Sequence, residues 1–265
     1  MARIRGKPAI DRISVMAVVF SALHAPVHSA QAALVRELGH VTLLHQERLA
    51  NPRLARGLEK LAAWQAARLG RTYADLEAQP RYTQAVEFFE TDLYGGADFA
   101  RRDADVARVV PILVRTLPER VIATIAQAME LNALSQELDR ALLARLPGTD
   151  AELTVADYCR AYRKMGNRAG RERQIALIAD IGAALDRFVR MPLLRTALAM
   201  MRRPARLAGM IVLHDFLERG FLAFRTMGGA TEFLATIDSR ETALMEAIFA
   251  GDDAPFADPL ADGDG

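Results

Sequence analysis

The chain has 265 residues, of which 51% are hydrophobic and 25% charged, with a net charge of +1. That is ordinary globular composition, which excludes a collagen-like or wholly disordered chain, and the balanced charge argues against a dedicated nucleic-acid binder. A single cysteine, Cys159, excludes an internal disulfide and a multi-cysteine zinc site.

In chain order, Arg3, Arg5 and Lys7 precede an apolar run over 13–23, and no Asp, Glu, Lys or Arg falls between Arg12 and Arg36. This is the outline of a signal peptide or membrane anchor. Asp11 interrupts its basic start, and His24, Pro26, His28, Ser29 and Gln31 interrupt its second half. Residues 1–28 therefore read as an N-terminal extension or first helix of a cytoplasmic protein, ahead of a helical domain over 29–250. From there on, apolar residues recur at helical spacing. Leu54, Leu58, Leu61, Trp64 and Leu69 make one stripe, and Val121 to Leu142 another within 118–146. Ile175 to Phe188 make a third, and Leu207, Met210, Leu213, Leu217, Phe221 and Phe224 a fourth. Pro192 and Pro204 suit first helical positions, Thr154 with Asp157 suits a helix cap, and Gly95-Gly96, Pro147-Gly148 and Gly228-Gly229 punctuate. No segment alternates with period two. The pattern predicts an all-α, single-domain multi-helix bundle of about eight to ten helices without β-sheet, given helices of roughly 11 residues. Phe89, Leu93, Phe216 and Phe224 are its expected core members. After Gly251 five aspartates and no basic residue follow, which predicts a disordered acidic tail over 251–265.

The run Phe88-Phe89-Glu90-Thr91-Asp92-Leu93-Tyr94, followed by Gly95, Asp98-Phe99 and Arg102-Asp103, resembles the bacterial FFLEELY-motif proteins. Both Phe, the Leu and the Tyr agree; Asp92 replaces a Glu, and Glu90-Thr91 depart from Leu-Glu. A second matching region runs from Phe216-Leu217-Glu218 through Gly229-Ala230 to Arg240-Glu241. The resemblance spans about residues 50 to 245 and implies a bacterial helical protein of a family without a characterised activity. On an ideal helix Val86, Phe89 and Leu93 share one side, and Glu87, Glu90 and Tyr94 an adjoining one. That arrangement fits an amphipathic core helix, with Glu87 and Glu90 as candidates to meet a partner. Asp98, Arg102 and Asp103 follow as a charged turn, also candidate partner residues.

Charge is segregated along the chain. Residues 73–105 hold eight acids against three Arg, and residues 160–206 hold twelve basic residues against three acids. Part of the acidic stretch, from Glu87 to Asp105, is expected to pack beside the basic stretch from Arg160 to Arg206, within one chain or across a dimer, and the basic surplus to leave arginines free. Arg163 and Arg171, near Gly166-Asn167 and Gly170, are thus candidates for an anionic ligand on a surface at 160–173.

Catalytic motifs are scarce. No nucleophile elbow, P-loop, dinucleotide-binding glycine pattern or His-Glu-x-x-His occurs. A carboxylate-bridged di-iron bundle needs two Glu-x-x-His helices and two further Glu, and the chain does not supply that set. His214 and Glu218, four apart, offer only part of a ligand group, so no metal ligands and no cofactor are assigned. These features favour a non-catalytic interaction or regulatory module, with a protein partner or a second copy as its counterpart and neither nucleic acid nor membrane. The alternative is an enzyme or small-ligand-binding bundle, metal-dependent through carboxylates and His214.

Overall fold

The computed structural model describes residues 30–94, 118–147 and 152–260. The expectations for 1–28, for Asp98, Arg102 and Asp103, and for Gly95-Gly96 lie outside them. Among the described residues nine α-helices and no strand are present: α1 Ala30–Ala50, α2 Pro52–Glu77, α3 Thr83–Phe88, α4 Glu119–Leu143, α5 Val155–Met165, α6 Arg168–Val189, α7 Pro192–Leu207, α8 Ile211–Thr226 and α9 Thr231–Ala250. The chain is an all-α bundle, as its periodicity predicts, and no described helix is long and apolar enough to cross a membrane.

Local chemistry sets most helix ends. Asn51 accepts the Leu54 N–H (3.1 Å) ahead of Pro52, and Thr154 Oγ1 accepts the Asp157 N–H (3.1 Å), as expected of that pair. Pro192 opens α7, but Pro204 does not open a helix; it lies inside α7. A proline there removes one N–H bond of the ladder, and the helix is exposed enough at Met200 and Met201 for water to reach the freed carbonyl. The break falls later, at Ala208-Gly209-Met210. Gly209 takes φ +70° and the Met210 N–H closes on the Ala205 carbonyl at 2.8 Å. The apparent stripe from Leu207 to Phe224 is therefore shared by two helices.

Three apolar clusters hold the bundle. One joins Leu69, Tyr73 and Leu76 of α2 to Val86 and Phe88 of α3, Phe224 of α8, and Phe233 and Ile237 of α9. A second joins Leu61 and Trp64 of α2 to Leu142, to Tyr158, Cys159 and Tyr162 of α5, and to Met245 and Ile248 of α9. The third packs Leu34 and Leu38 of α1 on Ile122, Ala126 and Met129 of α4 and on Leu213 of α8. Phe224 is a core residue as expected, whereas Phe89 and Phe216 are only partly buried at the core's edge. The Leu93 side chain lies outside the described residues.

The expected disorder of the tail is corrected for 251–260. Phe256 packs on Trp64 (ring centroids 6.0 Å) and Tyr158 (6.1 Å), Arg71 Nε donates to the Pro259 carbonyl (3.1 Å), and Arg163 bonds Asp253. One aromatic and two arginine anchors offset the ordering cost that composition alone left uncompensated.

Candidate functional site

Helix α2 carries Leu61, Trp64, Gln65, Arg68 and Leu69 at three- and four-residue spacing, so Gln65 and Arg68 fall on the inward face between the first two apolar clusters. On α9, Glu241 lies four residues after Ile237 and four before Met245, both buried. Ser135 and Asp139 of α4 and Arg171 and Gln174 of α6 complete a polar interior around a cavity of about 100 Å³. A single water needs roughly 10–15 Å³ on such a measure, so several non-hydrogen atoms fit.

Most of these groups are paired. Arg68 donates Nη1 to Glu241 Oε1 (2.8 Å) and Nη2 to Oε2 (3.1 Å), and the Tyr73 hydroxyl donates to Oε1 (2.8 Å). Burial pushes the Glu241 carboxyl up, but the Arg68 charge with its hydrogen bonds and the Tyr73 hydroxyl outweigh it and hold the group below its ordinary range. Gln65 Nε2 donates to Asp139 Oδ1 at 3.0 Å; burial drives the Asp139 carboxyl above its usual range, against the pull of Arg171 and of Gln65. The cavity thus holds the Glu241 carboxyl below and the Asp139 carboxyl above its ordinary range.

Arg171 is the exception. It is only 6% exposed. Its Nη1 donates to Gln174 Oε1 (2.9 Å), Gln174 in turn donates to Ser135 Oγ (2.8 Å), and the guanidinium carbon stands 4.6 Å from the Tyr162 ring centroid. Nε and Nη2 have no hydrogen-bond partner among the described residues. These two nitrogens form the side-on edge of the guanidinium, which fits a carboxylate or phosphate with two parallel bonds. Two residues along, Arg173 uses that same edge on Glu130, at 2.8 and 2.9 Å.

Glu90 reaches the cavity through a backbone irregularity. α3 runs on as a π-helical stretch over Phe89–Tyr94, a form that shifts side chains off the α register and is frequent at functional sites. Glu90 Oε1 is buried without a partner among the described residues, close against α2 at Gly70, where an added Cβ would come within 2.9 Å of it. Burial, with Glu77 and Glu87 nearby, pushes its carboxyl up.

Against the sequence reading, Glu87 and Glu90 are not a pair facing one partner: Glu87 is exposed, while Glu90 lines the cavity. Neither bonds the basic stretch 160–206 among the described residues. That stretch instead finds Glu130 of α4, Glu246 of α9 and Asp253 of the tail, through Arg173, Arg168 and Arg163. The expected surface of free arginines at 160–173 is therefore largely neutralised, and Arg171 points inward. Cys159 is buried, and burial pushes its thiol up to about 12, which suits a packing residue. His214 and Glu218 do share a face of α8, with Asp215 beside them. One Glu-x-x-His spacing does exist, Glu37 to His40 on α1, but Glu37 pairs with Arg36 and His40 with Glu137. Sequence reasoning missed Gln65, Arg68, Asp139 and Glu241. The available signal was a charged residue at a stripe position: Glu241 interrupts Leu234, Ile237, Met245 and Ile248.

Comparison with curated proteins and with solved structures finds no match to the chain. A family model described as Domain of unknown function (DUF8198) matches residues 44–255. That span takes in α2 to α9 and the cavity-lining residues that these helices carry, and the chain belongs to this family.

Proposed function

We propose that the protein is a non-catalytic binding module that takes a small organic anion into the interior cavity, its carboxylate or phosphate seated on Arg171. The observation that carries this reading is the buried guanidinium edge of Arg171. Leaving buried donors unsatisfied costs about 1–3 kcal/mol each, a cost that a fold retains for a reason such as recognition. The cavity's remaining polar groups suit a ligand with a second polar end. Gln174 and Ser135 offer hydrogen bonds, and Tyr158 and Tyr162 offer ring faces. The resemblance to bacterial FFLEELY-motif proteins supports a bacterial setting for this module.

Trp64, the one tryptophan, stacks on Tyr158 of the cavity wall at 4.6 Å between centroids and reports on it. Fluorescence titration of the full chain with acetate, benzoate and inorganic phosphate tests the reading, together with native mass spectrometry for co-purified small molecules. Saturable binding of at least one anion is expected, lost in Arg171→Met and kept in Arg173→Met. Equal binding by wild type and Arg171→Met refutes the site.

A second reading, the protein-interaction module, is favoured by α7. Met200 (72% exposed), Met201 and Leu207 (82%) stand on its surface among Arg195, Arg203 and Arg206. Native mass measurement tests it: a dimer or complex that Met200→Asp with Leu207→Asp dissolves supports it, and a monomer under all conditions argues against self-association.

A further inference from the structure

We propose that His214, Asp215 and Glu218, at the start of α8, form a binding site for a divalent first-row transition metal ion, separate from the interior cavity. The residues present one imidazole nitrogen and two carboxylate oxygens, all within 4.8 Å of one another. His214 is 4% exposed, and its Nε2 lies 2.8 Å from the Leu198 carbonyl of α7. A carbonyl only accepts, so Nε2 carries a proton, and Nδ1 is the nitrogen whose lone pair is left for an ion. Nδ1 is buried and has no hydrogen-bond partner among the described residues. It faces Asp215 Oδ1 at 3.7 Å and Glu218 Oε2 at 4.0 Å. This is the tautomer and support that metal-bound histidines use: one nitrogen on the ion, the other donating to a backbone carbonyl.

The spacing agrees with a shared ion. Two ligand atoms each about 2.1 Å from a tetrahedral ion lie about 3.4 Å apart. The distances from His214 Nδ1 to the two carboxylates, 3.7 and 4.0 Å, exceed that by well under an ångström, and all three ligand atoms lie within 4.8 Å, so rotation of the two partly exposed carboxylates closes the set. An imidazole with two carboxylates suits zinc, manganese, iron or cobalt in the divalent state better than magnesium or calcium, which take oxygen alone. Asp215 and Glu218 are partly exposed, so ions enter from solvent, and three protein ligands leave a position for water. Arg202 of α7 bonds Glu218. It competes with the ion for that carboxylate, but as an exposed pair it holds the carboxylate only weakly. A bound ion at His214 would tie the start of α8 to α7 through the Leu198 carbonyl, and so fix the helix that carries Met200 and Leu207.

The test is a zinc titration of the metal-free full chain against a chromophoric chelator, repeated with cobalt for its absorption spectrum. One equivalent is expected, with a cobalt spectrum of nitrogen–oxygen coordination. Affinity should fall at least tenfold in Asp215→Asn and in Glu218→Gln, both on the exposed rim where folding is spared, and should vanish in His214→Ala. Arg202→Ala should bind zinc several-fold more tightly, because Glu218 loses its competitor. Zinc binding that is absent in wild type overturns the site. So does binding that survives Asp215→Asn and Glu218→Gln unchanged, since it would then belong to other residues such as His40 and His45.

Discussion

Replacing Glu241 by Gln tests whether the polar interior is an obligatory part of the fold. The substitution keeps shape and one acceptor oxygen but removes the charge. Arg68, whose side chain is 11% exposed, then loses the carboxylate it grips with two bonds, and Tyr73 loses a charged acceptor. Breaking a buried pair by removing one partner costs about 3–5 kcal/mol, because the other charge stays buried. For a domain of this size each kcal/mol moves the melting temperature by about 2–4 °C, so a fall of roughly 6–20 °C is expected. Calorimetry and urea denaturation followed by Trp64 fluorescence measure it. The double substitution Arg68→Met with Glu241→Leu removes both charges and should return to within about 2 kcal/mol of wild type, since apolar replacement of a buried pair is often neutral. The pH dependence has a definite sign. The folded carboxyl lies below its unfolded value of about 4.3, so its contribution is present above that value and is lost as pH falls through the folded pKa. Glu241→Gln should flatten that acid limb. A loss below about 1 kcal/mol in Glu241→Gln, with an unchanged acid limb, would refute the reasoning.

Other outcomes follow from the same geometry. Cys159, held in the thiol form by burial that puts its pKa at about 12, should resist thiol reagents in the native protein and react only on unfolding; stoichiometric native labelling at neutral pH would contradict its placement. Phe256→Ala, or truncation after Gly251, should expose Trp64, seen as a red-shifted emission, and lower stability by about 1–3 kcal/mol, less than the roughly 3–5 kcal/mol of a fully buried Phe because Phe256 is only partly buried. Thr154→Ala should cost about 1 kcal/mol through loss of the α5 cap, measured by urea melts, and leave the anion titration unchanged.

Much of this molecule is legible residue by residue. The apolar period near Val121–Leu142 and Ile175–Phe188, the Thr154 cap and the proline at 192 are local signals, because a helix is closed by bonds three to four residues apart and its ends by side chains within one turn. Tertiary contact decided the rest. Pro204 is tolerated where its helix is exposed, and residues 251–260 are held by partners far away in sequence, Arg71, Trp64 and Tyr158. The interior cavity is the clearest case. Arg68, Asp139, Arg171 and Glu241 come from four helices, and each alone reads as a solvated charge, since charged residues are almost never fully buried unless paired. Arg171 and Arg173 are two residues apart on one helix, yet one meets Glu130 at the surface and the other turns an unpartnered edge inward. That difference depends on which face of α6 meets α4 and α9, and packing of whole helices, not the neighbouring sequence, sets it.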